Sequence, residues 1–454
     1  MVNMNEMINE LLEESKKFGF DEAEVMIMDD KNFETTVYKG EIDNYSISEN
    51  FGLSFRGIKN NIMGYSYTEK LDENSIEMLL ENAMNNLKNI DSKDQEFLFG
   101  NEENLEYVKI NQYNEKLNEV SNERKIEILK EMEKTAFEYD KRVKSINYCL
   151  FENGETSHRI KNTLGLDLYE KSNLSFCFLN VGVEENGEMQ SAHSIFVGND
   201  INLLNEKKLA YDAVDKAIKL LGAETVESDN YSVIIENKTF ASLLQAFSPI
   251  FSAEQVQKGT SLLKDKIDSK IAASNINIID NPHMEGKIAS ASFDAEGIPT
   301  KYKEVIKNGV LTTYLHNMKT AHIENVKPTG NATRSSYKSS VGISPSNFYV
   351  ENGKVTKEDM ISEIDKGLLI VNLEGLHAGL NSVSGDFSLS AKGFLIENGK
   401  ITRPVNQITV SGNFLELLKN VKTVGNDLDF TMPGGSSFVG SPSLRVDKLT
   451  VSGK

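Results

Sequence analysis

The chain has 454 residues, 39% of them hydrophobic and 26% charged, with a formal net charge of −19. That length suits two or three domains at roughly 100–200 residues each, and the composition is that of an ordinary globular protein, not of a disordered chain. A surface this acidic repels phosphate, and with no long Lys/Arg run in the sequence, non-specific binding of nucleic acid is disfavoured and no nucleic-acid partner is expected.

The first residues, Met1-Val-Asn-Met-Asn-Glu, have neither a basic start nor an apolar stretch, so no signal peptide is expected. No segment approaches the ~18 consecutive apolar residues of a membrane helix, and a cytoplasmic protein with no membrane partner is expected. Met4, Met7, Ile8, Leu11 and Leu12 fall at helical spacing and predict a helix from Met4 to Phe18. Short β-type runs follow at 23–28, 33–38, 45–47, 52–55 and 62–67. Turns are expected between them at Asp29-Asp30, Lys39-Gly40, Asn50 and Asn60-Asn61. A helix is predicted over 72–87, a polar connector over 90–121, and a second helix over 122–139 on the stripe Ile126, Ile128, Leu129, Met132 and Phe137.

Further strands are expected at 143–151, 157–162, 166–168 and 174–183. Asn50-Phe-Gly-Leu53 and Asn162-Thr-Leu-Gly-Leu166 form a weak internal echo, each read as a turn before an extended segment. A helix over 206–221 is closed by Gly222. Cys149 and Cys177 are too few and too scattered for a disulfide framework or a cysteine zinc site, and both are read as reduced core thiols.

A domain boundary is placed near 225. Residues 1–225 form an N-terminal α+β domain, divisible at 115/116, and residues 226–454 a β-rich domain. The second half opens with a strand at 231–235 and a helix from 239, which Pro249 is expected to break. Asn308-Gly309, Asn352-Gly353 and Asn398-Gly399 sit between apolar runs and read as hairpin turns, because both residues tolerate positive φ. The fold class is therefore α+β: antiparallel sheets and helices first, then a large twisted sheet or partly closed barrel.

Chemistry is harder to place. The six histidines include no pair at the i, i+4 spacing of a zinc helix. His316 and His322 would lie about 600° apart on a helix, or about 20 Å apart on a strand. Gly434-Gly-Ser-Ser-Phe-Val-Gly440 is not a Gly-x-Ser-x-Gly elbow, and reads as a turn-rich connection or a backbone-donor loop lining a cavity. No Walker motif or Gly-x-Gly-x-x-Gly is present. The acidic pairs Asp29-Asp30 and Asp294/Glu296 suit turns and solvated charge better than acid–base work.

Five segments in order resemble the TldD/PmbA family, also called the modulator of DNA gyrase family. They are Asn50-Phe-Gly-Leu-Ser-Phe-Arg-Gly57; Phe293-Asp-Ala-Glu-Gly-Ile-Pro-Thr300; Thr329-Gly-Asn-Ala332; Val383-Ser-Gly-Asp-Phe-Ser388; and Val424-Gly-Asn-Asp-Leu428 leading to Pro442-Ser-Leu-Arg-Val-Asp-Lys-Leu-Thr-Val451. The resemblance implies a pair of related subunits that trim or mature peptides. One is TldD-like, with zinc held by a helical His-Glu-x-x-x-His and a ligand from a C-terminal loop. The other is PmbA/TldE-like and lacks those residues.

Carried onto this sequence, the motif positions become Gln245, Ala246 and Ile250, and the loop 431–440 has no Cys or His. The implied reading is a metal-free, catalytically inactive subunit of a metallopeptidase, with zinc only on a TldD-like partner and unfolded peptide as substrate. A homodimer is the expected state of the chain alone. Asn331, Arg334 and Asp386, polar groups in the family-like stretches, are the expected lining of a peptide cavity. Two alternatives stay open. One is a stand-alone metallohydrolase with a site built from dispersed residues such as His316, His322 and His377. The other is a non-enzymatic homodimer that binds peptide or protein.

Overall fold

Long strands build the N-terminal half. The computed structural model describes residues 4–89, 95–101 and 105–454. Helix α1 (Met4–Phe18) leads into β1 (Glu22–Tyr38), β2 (Glu41–Lys59), β3 (Ile62–Thr68) and α2 (Ser75–Lys88). After the short α3 (Glu115–Asn118), the plan recurs as α4 (Asn122–Tyr139), β4 (Val143–Asn162), β5 (Asp167–Glu185), β6 (Glu188–Gly198) and α5 (Glu206–Lys219). The two meanders join into one antiparallel sheet of order β3-β2-β1-β4-β5-β6. Part of the connector expected over 90–121 lies outside the described residues.

The expected turns at Lys39-Gly40 and Asn60-Asn61 form, and all four residues have positive φ. Those at Asp29-Asp30 and Asn50 do not. Asp29 and Asp30 pair with Phe51 and Asn50 of β2 on one side and with Ser157 and Thr156 of β4 on the other. A strand laddered on both edges satisfies its backbone groups, and the carboxylates stay half-buried on the pleat. Asn50 is thus mid-strand whereas Asn162 ends one, so the two echo segments are not equivalent.

Successive side chains of a strand point to opposite faces, and this sheet buries both. In β1, β2, β5 and most of β4 the odd-numbered residues face helices, whereas in the outer strands β3 and β6 the even-numbered ones do, as Ser66 against α2 and Ser194 against α5 show. Val25, Leu53 and Phe55 pack on α1 and α2, whereas Phe33, Phe151, Cys177 and Leu179 pack on α4 and α5. The opposite face, even-numbered in β1, β2, β5 and most of β4, meets the C-terminal half, where Met26 and Ile160 meet Phe293 and Ile298.

The C-terminal half opens with β7 (Asp229–Ile235), α6 (Asn237–Phe247) and a 3-10 turn, Ser248–Phe251, then α7 (Ala253–Gln257). Pro249 lies inside that 3-10 turn, where the helix stops as expected. Next come β8 (Ile278–Asp280), β9 (Lys303–Lys307), β10 (Val310–Leu311), α8 (Met318–Glu324), β11 (Ala332–Thr333), β12 (Gly342–Ile343), β13 (Asn347–Val350) and α9 (Lys357–Ser362). The last elements are β14 (Lys366–Glu374), β15 (Asp386–Glu397), β16 (Lys400–Asn413), α10 (Phe414–Lys419), β17 (Val421–Val424), β18 (Asp429–Phe430), β19 (Phe438–Ser441) and β20 (Leu444–Ser452).

One sheet runs β16-β15-β14-β7-β20-β17, and an added β16–β20 pairing closes five of its strands into a barrel. A second sheet runs β10-β9-β8-β13-β19-β18. The barrel core takes Phe240, Leu243, Leu244 and Phe247 of α6. Phe247 stacks on Phe414 at a centroid distance of 4.4 Å. Asn308-Gly309 and Asn398-Gly399 turn hairpins with both residues at positive φ. Asn352-Gly353 does not. Its backbone crosses Gly425 instead, with Gly353 N–H donating to Gly425 O at 2.7 Å, and a Cβ on Gly353 would collide with Val424 O.

The two halves are locked where the segment after β11 lies on the N-terminal sheet. Tyr337 packs over Gly52 of β2, and a Cβ there would enter the Tyr337 ring. Tyr337 Oη donates to Glu69 at 2.6 Å, and Arg334 Nη2 donates to Tyr65 Oη at 2.8 Å. Gly52→Ala should therefore lower the urea midpoint by an amount equivalent to about 1–3 kcal/mol. Adding Tyr337→Ala should recover part of that loss. Denaturation of the single and double variants checks this, and strictly additive losses would contradict the contact.

Candidate functional site

The even face of the N-terminal sheet is not covered everywhere. A cavity of about 470 Å³ is floored by Asn32 of β1, by Glu152, Gly154 and Thr156 of β4, and by Ser172, Leu174 and Phe176 of β5. Gln112, Asn173 and Asn199 border it, and Gly286, Ile288, Met432, Pro433 and Gly435 roof it. A second cavity of about 210 Å³ is floored by Met26, Met28 and His158. Thr156 and His158 are neighbours on the same face of β4, and the roof residues Ile288 and Ala289, or Gly435 and Ser436, are neighbours in the chain. The two cavities therefore lie side by side between the halves of the molecule, and together they are referred to as the groove.

Among the described residues, Glu152 is the one charged side chain lining the larger cavity. Burial raises its pKa, as does the charge of Glu34, its partner across β1 and β4. Phe176 stands opposite it on β5. The rest of the lining is carboxamide, hydroxyl, backbone and apolar, which suits an uncharged extended chain. Glu152 is invisible to motif reading, because only the β1–β4–β5 register brings it to the groove.

Helix α6 stands behind the roof. Gln245 Nε2 donates to Met432 O at 3.2 Å, Ser242 Oγ lies 2.7 Å from Thr431 Oγ1, and Gly434 has no room for a Cβ beside the Gln245 amide. The motif helix and the glycine-rich loop are thus in contact, although Gln245 and Met432 are 187 residues apart in sequence. Ala246 is half-buried, and Ile250 lies past the helix end in the barrel core, 1% exposed. These positions offer a carboxamide, a methyl group and a buried hydrocarbon, a donor set that does not fit a zinc ion. Among the described residues, no group of three or more His, Cys, Asp or Glu side chains is placed to hold a metal ion.

The dispersed histidines do not converge. His316 is buried with Nδ1 lacking a hydrogen-bond partner, His322 is exposed and lies against Phe97, and His377 is exposed in the turn after β14. Asn331 and Arg334 line the smaller cavity. Asp386 does not. It is exposed at the start of β15, accepting from Asn413 Nδ2 at 3.0 Å, and serves the turn before α10, which Asn413 caps.

At the smaller cavity five ionisable side chains are buried together: Glu24 and Arg56 from the sheet, Asp294, Glu296 and Arg334 from the other half, each between 1% and 7% exposed. Arg56 donates to Glu24 through Nε at 2.9 Å and again through Nη2. Asp294 is a turn residue after all. Its carboxylate accepts from the N–H groups of Glu296, Ile298 and Ala332 at 2.9–3.0 Å. Glu296 accepts from Met318 N–H, in the first turn of α8, at 2.7 Å. Burial pushes Asp294 up to about 6, and burial with the Asp294 charge pushes Glu296 up to about 8.

An α+β protein with a closed barrel, and a groove between that half and a six-stranded sheet, is the class this geometry defines. Family models match in sequence: PmbA/TldA metallopeptidase domain 1 over residues 23–87, the central domain over 115–221 and the C-terminal domain over 228–453. The chain belongs to the PmbA/TldD family. It is 32% identical to a Thermotoga maritima protein described as a putative modulator of a DNA gyrase, covering 99% of this chain and 100% of that one with a TM-score of 0.91. Metalloprotease PmbA of Escherichia coli O157:H7 is 27% identical over 315 residues, 68% of this chain and 67% of that protein. TldE of Thermococcus kodakarensis shares the fold, with a TM-score of 0.89 at 24% identity over 98% of this chain and 99% of that one.

The raised Glu296 carboxyl gives a signed pH dependence. Between its ordinary value of 4.5 and about 8, the folded protein holds a proton that the unfolded chain has lost. Stability therefore falls as pH rises through that window, and the loss is complete above about 8. Glu296→Gln keeps an acceptor for Met318 N–H and removes the charge, so its denaturation midpoint should decline less across that window than that of the parent. Parallel pH profiles would contradict the assignment.

Proposed function

We propose that this chain is a zinc-free, PmbA/TldE-like subunit of a cytoplasmic peptidase, and that it shapes a groove for unfolded peptide while a TldD-like partner carries zinc and the chemistry. The observation that carries this reading is the junction of α6 with the glycine-rich loop. There the Gln245 amide donates to Met432 O, and the positions that would supply imidazoles and a general base supply none. The groove supports the peptide part: it is open, lined mostly by uncharged groups, and floored by strands. Relatives named for metalloprotease activity and a TldE neighbour are consistent with both parts. Cys149 and Cys177 are buried free thiols, which suits a reducing compartment, and no helix among the described residues is long and apolar enough to cross a membrane.

Chain purified without chelator or tag histidines should contain zinc well below one ion per chain by elemental analysis. It should cleave an unstructured peptide only after a TldD-like subunit is added. Tightly bound zinc near one per chain, or full cleavage by the chain alone, would overturn the proposal. A homodimer of the chain alone is the expected state in the absence of that partner.

A further inference from the structure

Arg334 is 7% exposed and lines the 210 Å³ cavity. Its Nε donates to Ser339 O at 3.1 Å, and Nη2 donates to Tyr65 Oη and, at 3.4 Å, to Tyr337 O. Nη1 finds the Met26 sulfur at 3.1 Å, a weak acceptor. Among the described residues no carboxylate pairs with this guanidinium, whereas the neighbouring Arg56 has Glu24. Burial and the Arg56 charge push Arg334 down to about 10 against the opposing pull of Tyr65 and of the Glu24 charge, which does not contact it, and this leaves it cationic at neutral pH. Asp294 shares the lining, but its oxygens are turned to three backbone N–H groups. A buried cation whose donors meet only neutral acceptors is costly, and Nη1, with one N–H on a thioether and its second without an acceptor among the described residues, is the nitrogen a carboxylate would pair with.

The cavity is also one end of the groove. Along β4, His158 in the smaller cavity and Glu152 in the larger are six residues apart, about 20 Å of strand. A peptide of about six residues laid between them would bring one end to Arg334. We propose that the Arg334 cavity is a carboxylate pocket that takes the C-terminal carboxylate of a peptide lying in the groove. This rests on the reading of the groove as a peptide site. It adds a direction to binding: C-terminus at Arg334, upstream residues toward Glu152.

The test is titration calorimetry on the full chain with three probes. They are an N-acetylated, otherwise uncharged hexapeptide with a free C-terminal carboxylate, its C-terminal carboxamide twin, and sodium acetate. The acid should bind roughly tenfold to a hundredfold more tightly than the amide, the range of a charge-assisted hydrogen-bonded pair, with acetate far weaker than either. In Arg334→Gln the acid–amide gap should close. If that variant does not fold, the acid–amide comparison on the parent chain decides alone. Equal binding of acid and amide overturns the pocket and leaves the groove reading standing. Acetate binding as tightly as the peptide acid overturns the peptide assignment in favour of a free-carboxylate site. No binding of either peptide overturns both the pocket and the groove.

Discussion

Everything in this molecule hangs on the two-faced burial of one sheet. One of its faces feeds two helix-covered cores, and the other meets the C-terminal half and floors the groove. Because side chains alternate with period two, a slip of one residue in β1 or β4 would exchange these sets. Phe151 and Cys149 would then face the groove, and Glu152 would face α4. Register is thus held jointly by hydrophobic burial on one face and by packing between the halves on the other.

The halves are joined by chemistry of a different kind. Near Gly52 the contact is steric, an aromatic ring on a bare backbone. A few residues away it is polar, with the ionisable side chains of Glu24, Arg56, Asp294, Glu296 and Arg334 removed from water together. Buried charge is poor glue when compared with hydrocarbon of the same volume, but it is intolerant of misplacement. The apolar cluster of Met26, Ile160, Phe293 and Ile298 supplies attraction, and the charged cluster penalises any other seating of the two halves.

Local signals were legible where one rule decided. Helix α4 follows from its apolar stripe, of which Phe137 alone stands exposed at 42%, and begins where Ser121 accepts from Arg124 N–H, and two of three Asn-Gly pairs turn hairpins because their φ values are positive. The same rules failed where tertiary pairing won. Asp29-Asp30 reads as a turn, yet neighbours on both sides keep it a strand, and Asn352-Gly353 is used for a close backbone crossing. Of the site, Gln245 and the glycine-rich loop could be named from the family resemblance, and Asn331 and Arg334 from the same stretches. Asp386 could not be told apart from them on sequence, since all three are polar residues in glycine-bearing segments. Glu152 could not be found at all, because its place depends on strands whose register no local pattern specifies.

The groove floor has a further property. It is laid across the seam between β1 and β4, which belong to separate meanders whose own hairpins are local in sequence. Asn32, Met26 and Met28 come from one meander, and Glu152, Thr156 and His158 from the other. Loop closure makes such a seam slower to form than either hairpin pair. The groove floor is therefore complete only once that seam has closed. Any occupant that spans the seam draws its affinity partly from holding the two meanders together, so occupancy and folding of this half are one linked equilibrium.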